Sequence, residues 1–143
     1  SAEYYASIGR HQEAIAAYQA LLTQAPDSAI ALNNLANSYQ RVGDKRALAT
    51  AEQAYKFGPD HPAGLDTLGW ILVEQGQTGR GLEMIEKALT KAPGNPDIRY
   101  HRIMALLAHK GDKARARREL ELLLKDAPTF SQAEAAKAQL RKL

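Results

Sequence analysis

Residues 65–93 read LDTLGWILVEQGQTGRGLEMIEKALTKAP, and this stretch holds one complete structural unit. Leu65, Leu68, Gly69 and Leu72 recur at the spacing of a single helix face. Gly76 interrupts the pattern, Gly81, Ile85 and Ala88 resume it, and Pro93 closes it. The order predicts two helices joined by a glycine turn and stopped by a proline. The small residue at Gly69 lets the two helices approach closely.

The unit recurs along the chain. Pro26, Pro59, Pro93 and Pro128 are spaced by 33, 34 and 35 residues. Before them lie Ala14, Tyr18 and Leu21; Ala47, Ala51 and Ala54; and Ala116, Leu120 and Leu123, the expected buried stripes of the other second helices. Leu32, Leu35, Ala36 and Tyr39, and then Tyr100, Ile103, Met104 and Leu107, supply the other first helices. Gly9, Gly43 and Gly111 stand where Gly76 does. Asp44, Thr78 and Asp112 are placed to cap the second helices, and Asn95 followed by Pro96 opens a first helix. Gly43 to Ala47 is one residue shorter than Gly9 to Ala14, which predicts a tighter turn. Met104 replaces the small residue found at Ala36 and Gly69, which predicts looser packing in the last unit.

A period near 34 with two helical patterns per unit resembles the tetratricopeptide repeat, and the first helices are similar to its Trp-x-x-Leu-Gly-x-x-Tyr half with Leu32, Leu65 and Tyr100 in the Trp slot. The resemblance covers nearly all of the chain and implies an all-α, right-handed superhelical solenoid of helix-turn-helix repeats, about nine helices in one domain. The expected divisions are 1–28, a truncated first repeat; 29–61; 62–96; 97–128; and 129–143, a C-terminal capping helix. Tyr5 sits in the slot of Tyr39, Leu72 and Leu107 with four residues before it, so the chain is expected to be part of a longer repeat protein and to self-associate weakly through this open end. At the other end Ser131 to Glu134 has capping-box form, and Ala135, Ala138, Leu140 and Leu143 form the expected buried stripe, with Lys137, Arg141 and Lys142 in water.

A narrower likeness rests on residues 65–72, LDTLGWIL, and 111–120, GDKARARREL, followed by a short terminal helix. These segments resemble the C-terminal end of bacterial repeat lipoproteins that accompany exopolysaccharide and exosortase (PEP-CTERM) systems. That likeness implies a periplasm-facing scaffold; the absence of cysteine suits periplasm and cytosol alike.

Composition narrows the function. No run of 18 apolar residues spans a membrane, and 45% hydrophobic with 24% charged residues is a globular balance. The net charge of +3 gathers at Lys110, Lys113, Arg115, Arg117, Arg118 and Lys125, but Arg115 with Glu119 and Arg117 with Glu121 are helix-spaced pairs, and no aromatic residues interleave. A solvated face is favoured over a nucleic-acid site. His11, His61, His101 and His109 fall in no metal or hydrolase motif, and His101 and His109 stand about 12 Å apart along a helix, too far to share one ion. No cofactor, no metal and no enzymatic activity are expected.

Stacked repeats turn their first helices inward, so the non-core residues of those helices line a concave groove. The expected lining is Asn33, Asn37, Gln40 and Arg41; Asp66, Trp70, Val73 and Glu74; and His101, Arg102, Ala105 and His109. Exposed asparagines at 33 and 37 can grip a peptide backbone or simply be solvated. Trp70, the only tryptophan, is either a binding anchor or a lid over Ala105 between units. Some tetratricopeptide domains hold a C-terminal carboxylate with Lys, Asn, Asn, Lys and Arg; the matching slots here hold Asn33, Asn37, Thr67, Ile98 and Arg102, with both lysines absent, which disfavours that mode. Two readings remain: a scaffold binding an extended peptide or partner helix, and a spacer array with an empty groove.

Overall fold

The computed structural model describes residues 1–143 as nine α-helices and no strand. They are α1 (Ala2–Ser7), α2 (His11–Gln24), α3 (Ala29–Arg41), α4 (Ala47–Phe57), α5 (Pro62–Glu74), α6 (Thr78–Lys91), α7 (Pro96–Lys110), α8 (Lys113–Asp126) and α9 (Ala133–Lys142). Each helix packs on the next in sequence, while α3 touches α5 and α5 touches α7. Odd-numbered helices therefore form one layer and even-numbered helices flank it, a stack of helical hairpins closed by α9.

The turns are where the glycines predict them. Gly9, Gly43, Gly76 and Gly111 all have positive φ. Gly111 shows why: at φ 72° it ends α7 in the left-handed region while its N–H reaches the Leu107 carbonyl, a geometry that a side chain would strain. Asn95 accepts from the Ile98 N–H and Asp112 from the Arg115 N–H, as their sequence positions require. Thr78 behaves differently: it is the first residue of α6, and its hydroxyl meets the His109 ring instead of capping. Asp44 accepts from the Arg46 N–H at 2.9 Å, which spends the short turn and delays α4 until Ala47. The Arg46 guanidinium on the same carboxylate holds the Asp44 pKa down at about 2.

The tightest helix contact is α5 on α6. A Cβ built on Gly69 would lie 2.6 Å from the Ile85 side chain and 2.8 Å from the Gly81 carbonyl oxygen, and one on Gly81 would lie 2.6 Å from the Gly69 oxygen. Two glycines thus face each other across the crossing, which brings Leu65, Leu68, Leu72 and Ile85 to full burial. The main apolar cluster of 19 buried residues runs from Ala2 to Ala105. A second, of six, holds Tyr100, Ile103, Ala116, Leu120, Leu123 and Ala136, with the half-buried Met104 packed against it. The larger side chain at Met104 coincides with this separate core in the last unit.

Four packing expectations need correction. Leu21 is 50% exposed and Leu22 takes the packed position instead, because the last turn of α2 runs past the end of the thin first unit. The capping box at 131–134 does not form: α9 begins at Ala133 without a side-chain cap, and the Ser131 hydroxyl donates to Asp97 of α7. The covered face of α9 is Ala133, Ala136, Leu140 and Leu143: the two leucines are where the predicted stripe has them, but Ala135 is exposed and Ala133 and Ala136 are the buried alanines. On α8 the pair Arg115–Glu119 forms at 3.4 Å, but Arg117 and Glu121 make no ion pair.

Candidate functional site

The odd-numbered helices carry a column of polar side chains one repeat apart: Asn33 on α3, Asp66 on α5 and His101 on α7. Asp66 and His101 meet. The imidazole Nδ1 lies 2.9 and 3.0 Å from the two carboxylate oxygens, with both side chains largely buried. Trp70 lies flat on the imidazole, ring centroids 4.5 Å apart and planes at 14°. The far nitrogen of the ring, Nε2, is 3.4 Å from the Gln132 amide nitrogen, which also reaches Asp97 Oδ1 at 3.3 Å. The Asp66 carboxylate thus holds one edge of the imidazole and the Gln132 amide group closes the other. The cluster joins Asp66 and Trp70 of α5 to His101 of α7 and to Gln132 at the entry to α9.

The predicted lining residues divide. Gln40 donates to Glu74 one unit on, and Asn37 and Arg41 are exposed beside them on α3. Val73 and Ala105 are buried and contribute only apolar floor. Asn33 corrects the expectation of an exposed asparagine: it is 3% exposed, and its Oδ1 is shielded with no protein partner. In this arrangement its amide is not presented to a ligand. Arg102 also departs from the predicted face: its guanidinium lies between Glu86 of α6 at 3.8 Å and Glu119 of α8 at 3.7 Å, on the side of the second helices. His109 packs its Nδ1 2.9 Å from Thr78 Oγ1 at the start of α6, at the edge of the layer. Trp70 is half-buried, in contact with the main core yet not enclosed by it, and it stacks on His101.

Asp97, Ser131 and Gln132 join this network without having been read as part of it. Their signal is in the numbering. Gln40–Glu74 and Asp97–Ser131 are 34 residues apart, and Asp66–His101 and Asp97–Gln132 are 35 apart. Polar complementarity at the repeat period marks side chains that meet between neighbouring units.

Two family models, described as tetratricopeptide repeat and TPR repeat, match residues 72–140 and 3–43. A TPR repeat-containing protein of Pseudomonas aeruginosa is 36% identical over 77 residues, which cover 51% of this chain and only 13% of that protein. Among solved structures, the thermophilic TPR protein TTC0263 of Thermus thermophilus superposes with a TM-score of 0.80 at 18% identity, over 99% of this chain and 78% of its own. YrrB, a TPR protein with an unusual peptide-binding site, gives 0.72 at 18% identity over 96% and 71%. MamA from Desulfovibrio magneticus RS-1 gives 0.72 at 15% identity over 99% and 88%. At these identities the structural likenesses carry the fold alone. The periodic stripes, the glycine turns and both family matches agree that this chain belongs to the tetratricopeptide repeat superfamily.

Proposed function

We propose that the chain is a non-enzymatic interaction scaffold that takes an extended peptide or partner helix along the layer of odd-numbered helices, at Trp70. The observation that carries this is the Trp70–His101 stack pinned by Asp66. An aromatic ring with one face covered and its orientation already set loses little freedom when a partner packs on its other side. Asn37, Gln40, Arg41 and Glu74 supply polar groups beside it. YrrB, of the same fold, is described as having a peptide-binding site, which is consistent with this use. A place in a bacterial exopolysaccharide or protein-sorting system, facing the periplasm, rests on the likeness of residues 65–72 and 111–120 to repeat lipoproteins of those systems.

The spacer reading draws on the same ring, since Trp70 also packs against the core. Because Trp70 is the only tryptophan, its emission distinguishes the two. Peptides selected from a random library for binding to this chain should shift that emission, and Trp70→Ala should weaken them by about 2 kcal/mol or more, the size of a central anchor. A spacer would yield no such peptides, or only ones that leave the emission and the affinity of the Ala variant unchanged.

A further inference from the structure

The chain is electrically lopsided. Residues 1–98 hold eight Lys or Arg against eleven Asp or Glu, a balance of −3, and residues 99–143 hold eleven against five, a balance of +6. In the second part Arg99, Arg102, Arg115 and Lys137 are ion-paired, while Lys110, Lys113, Arg117, Arg118, Lys125, Arg141 and Lys142 are not. Lys113 and Arg115 open α8 with no acidic residue in its first turn, where the helix dipole adds to their positive potential.

Beside these cations is a cavity of about 340 Å³ between α7 and α8, with Leu106, Leu107 and Ala116 at its apolar side and Lys110 and Arg115 among its lining. Both carboxylates at the cavity are engaged: Asp112 caps α8, and Glu119 is shared by Arg102 and Arg115. None of the residues lining the cavity belongs to the Asp66–His101–Trp70 cluster. One unit earlier the corresponding positions are closed, with Ile71 and Met84 buried. Along α8 the exposed stripe Arg118, Leu122 and Lys125 continues from Arg115, with Leu122 53% exposed.

We propose that this α7–α8 face is a second docking surface, for an acidic peptide segment that places an aliphatic side chain in the cavity and its carboxylates on Lys110, Arg118 and Lys125. The apolar side of the cavity, Leu106, Leu107 and Ala116, distinguishes such a peptide from a purely electrostatic polyanion. No exposed Phe, Tyr or Trp on α7 or α8 offers the stacking that single-stranded nucleic acid uses.

The test is fluorescence anisotropy with a labelled ten-residue Asp/Glu peptide carrying one central leucine. Its leucine-to-serine version, a single-stranded DNA 20-mer and phosphatidylglycerol vesicles serve as competing probes. The leucine peptide should bind best, weaken with added salt, and lose about tenfold when Lys110→Glu and Arg118→Glu are combined at an unchanged melting temperature. Trp70→Ala should leave this binding intact, which separates it from the reading above. Equal binding of the serine peptide, tighter binding of DNA or vesicles, or no effect of the charge reversals would overturn the proposal.

Discussion

Gly69 is the residue on which the packing turns most sharply. Its missing Cβ lets α6 come close enough for its backbone to face that of α5, and the obstructing atoms are the fully buried Ile85 side chain together with the Gly81 oxygen and Ile85 nitrogen of the backbone, which cannot rotate aside. Gly69→Ala gains about 1 kcal/mol in helix propensity, but overpacking of this kind costs about 1–3 kcal/mol, so the variant should be less stable in urea denaturation. An unchanged midpoint would show that the helices can separate freely. Tyr100 offers a second test. Its burial beneath Phe130 and against Ile103 pushes its phenol above the ordinary tyrosine pKa. A raised folded-state pKa means that the stabilisation is complete below the unfolded value, about 10, and is lost as pH rises through the higher folded value. Tyr100→Phe should therefore flatten the alkaline loss of melting temperature while leaving neutral stability nearly unchanged. Trp70 was ambiguous in the sequence and keeps both aspects in the structure, because an indole is large enough to touch the core with one edge and the surface with the other.

Helix α9 is held by contacts that its own sequence advertises only in part. Ala133 and Ala136 are buried, Leu140 and Leu143 pack on the six-residue cluster, and Ser131 and Gln132 tie its entry to Asp97. Removing residues 129–143 uncovers Leu120 and Leu123, now fully buried, together with Leu124. The truncated protein should melt at lower temperature and self-associate, visible by scanning calorimetry and analytical ultracentrifugation. A monomer with an unchanged melt would mean that α9 is not a cap. The exchange of Ala135 for Ala133 and Ala136 on the covered face of α9 has a plain cause: a short alanine-rich helix offers apolar residues on several faces, and only its neighbour selects one.

Across the array, stability is expected to be uneven. Repeat proteins gain stability from each unit and each interface in near-additive fashion, and here the glycine-mediated α5–α6 pair lies within a large cluster while α7–α9 share a small one. Amide hydrogen exchange should be slowest in α5 and α6 and faster in α1 and α9. Uniform protection across all nine helices would contradict that order. The same unevenness separates the two proposed surfaces, with the Trp70 stack anchored in the rigid centre and the basic face built on the less tightly packed last unit.

The number of helices, their hairpin order and the turns were legible in the residues, because period, glycine and proline act locally and recur in phase. The groove lining was only partly legible. Asn37, Gln40 and Glu74 lie where helical spacing puts them, whereas Asn33 is buried and Arg102 is drawn to Glu86 and Glu119. Spacing along one helix specifies a direction, but burial and pairing depend on what the next unit brings 34 or 35 residues later. The Asp66–His101–Trp70 cluster and the α7–α8 cavity exist only through that stacking. Local chemistry therefore wrote the architecture, and contacts between neighbouring units, invisible to any single helix, assembled the surfaces available for binding.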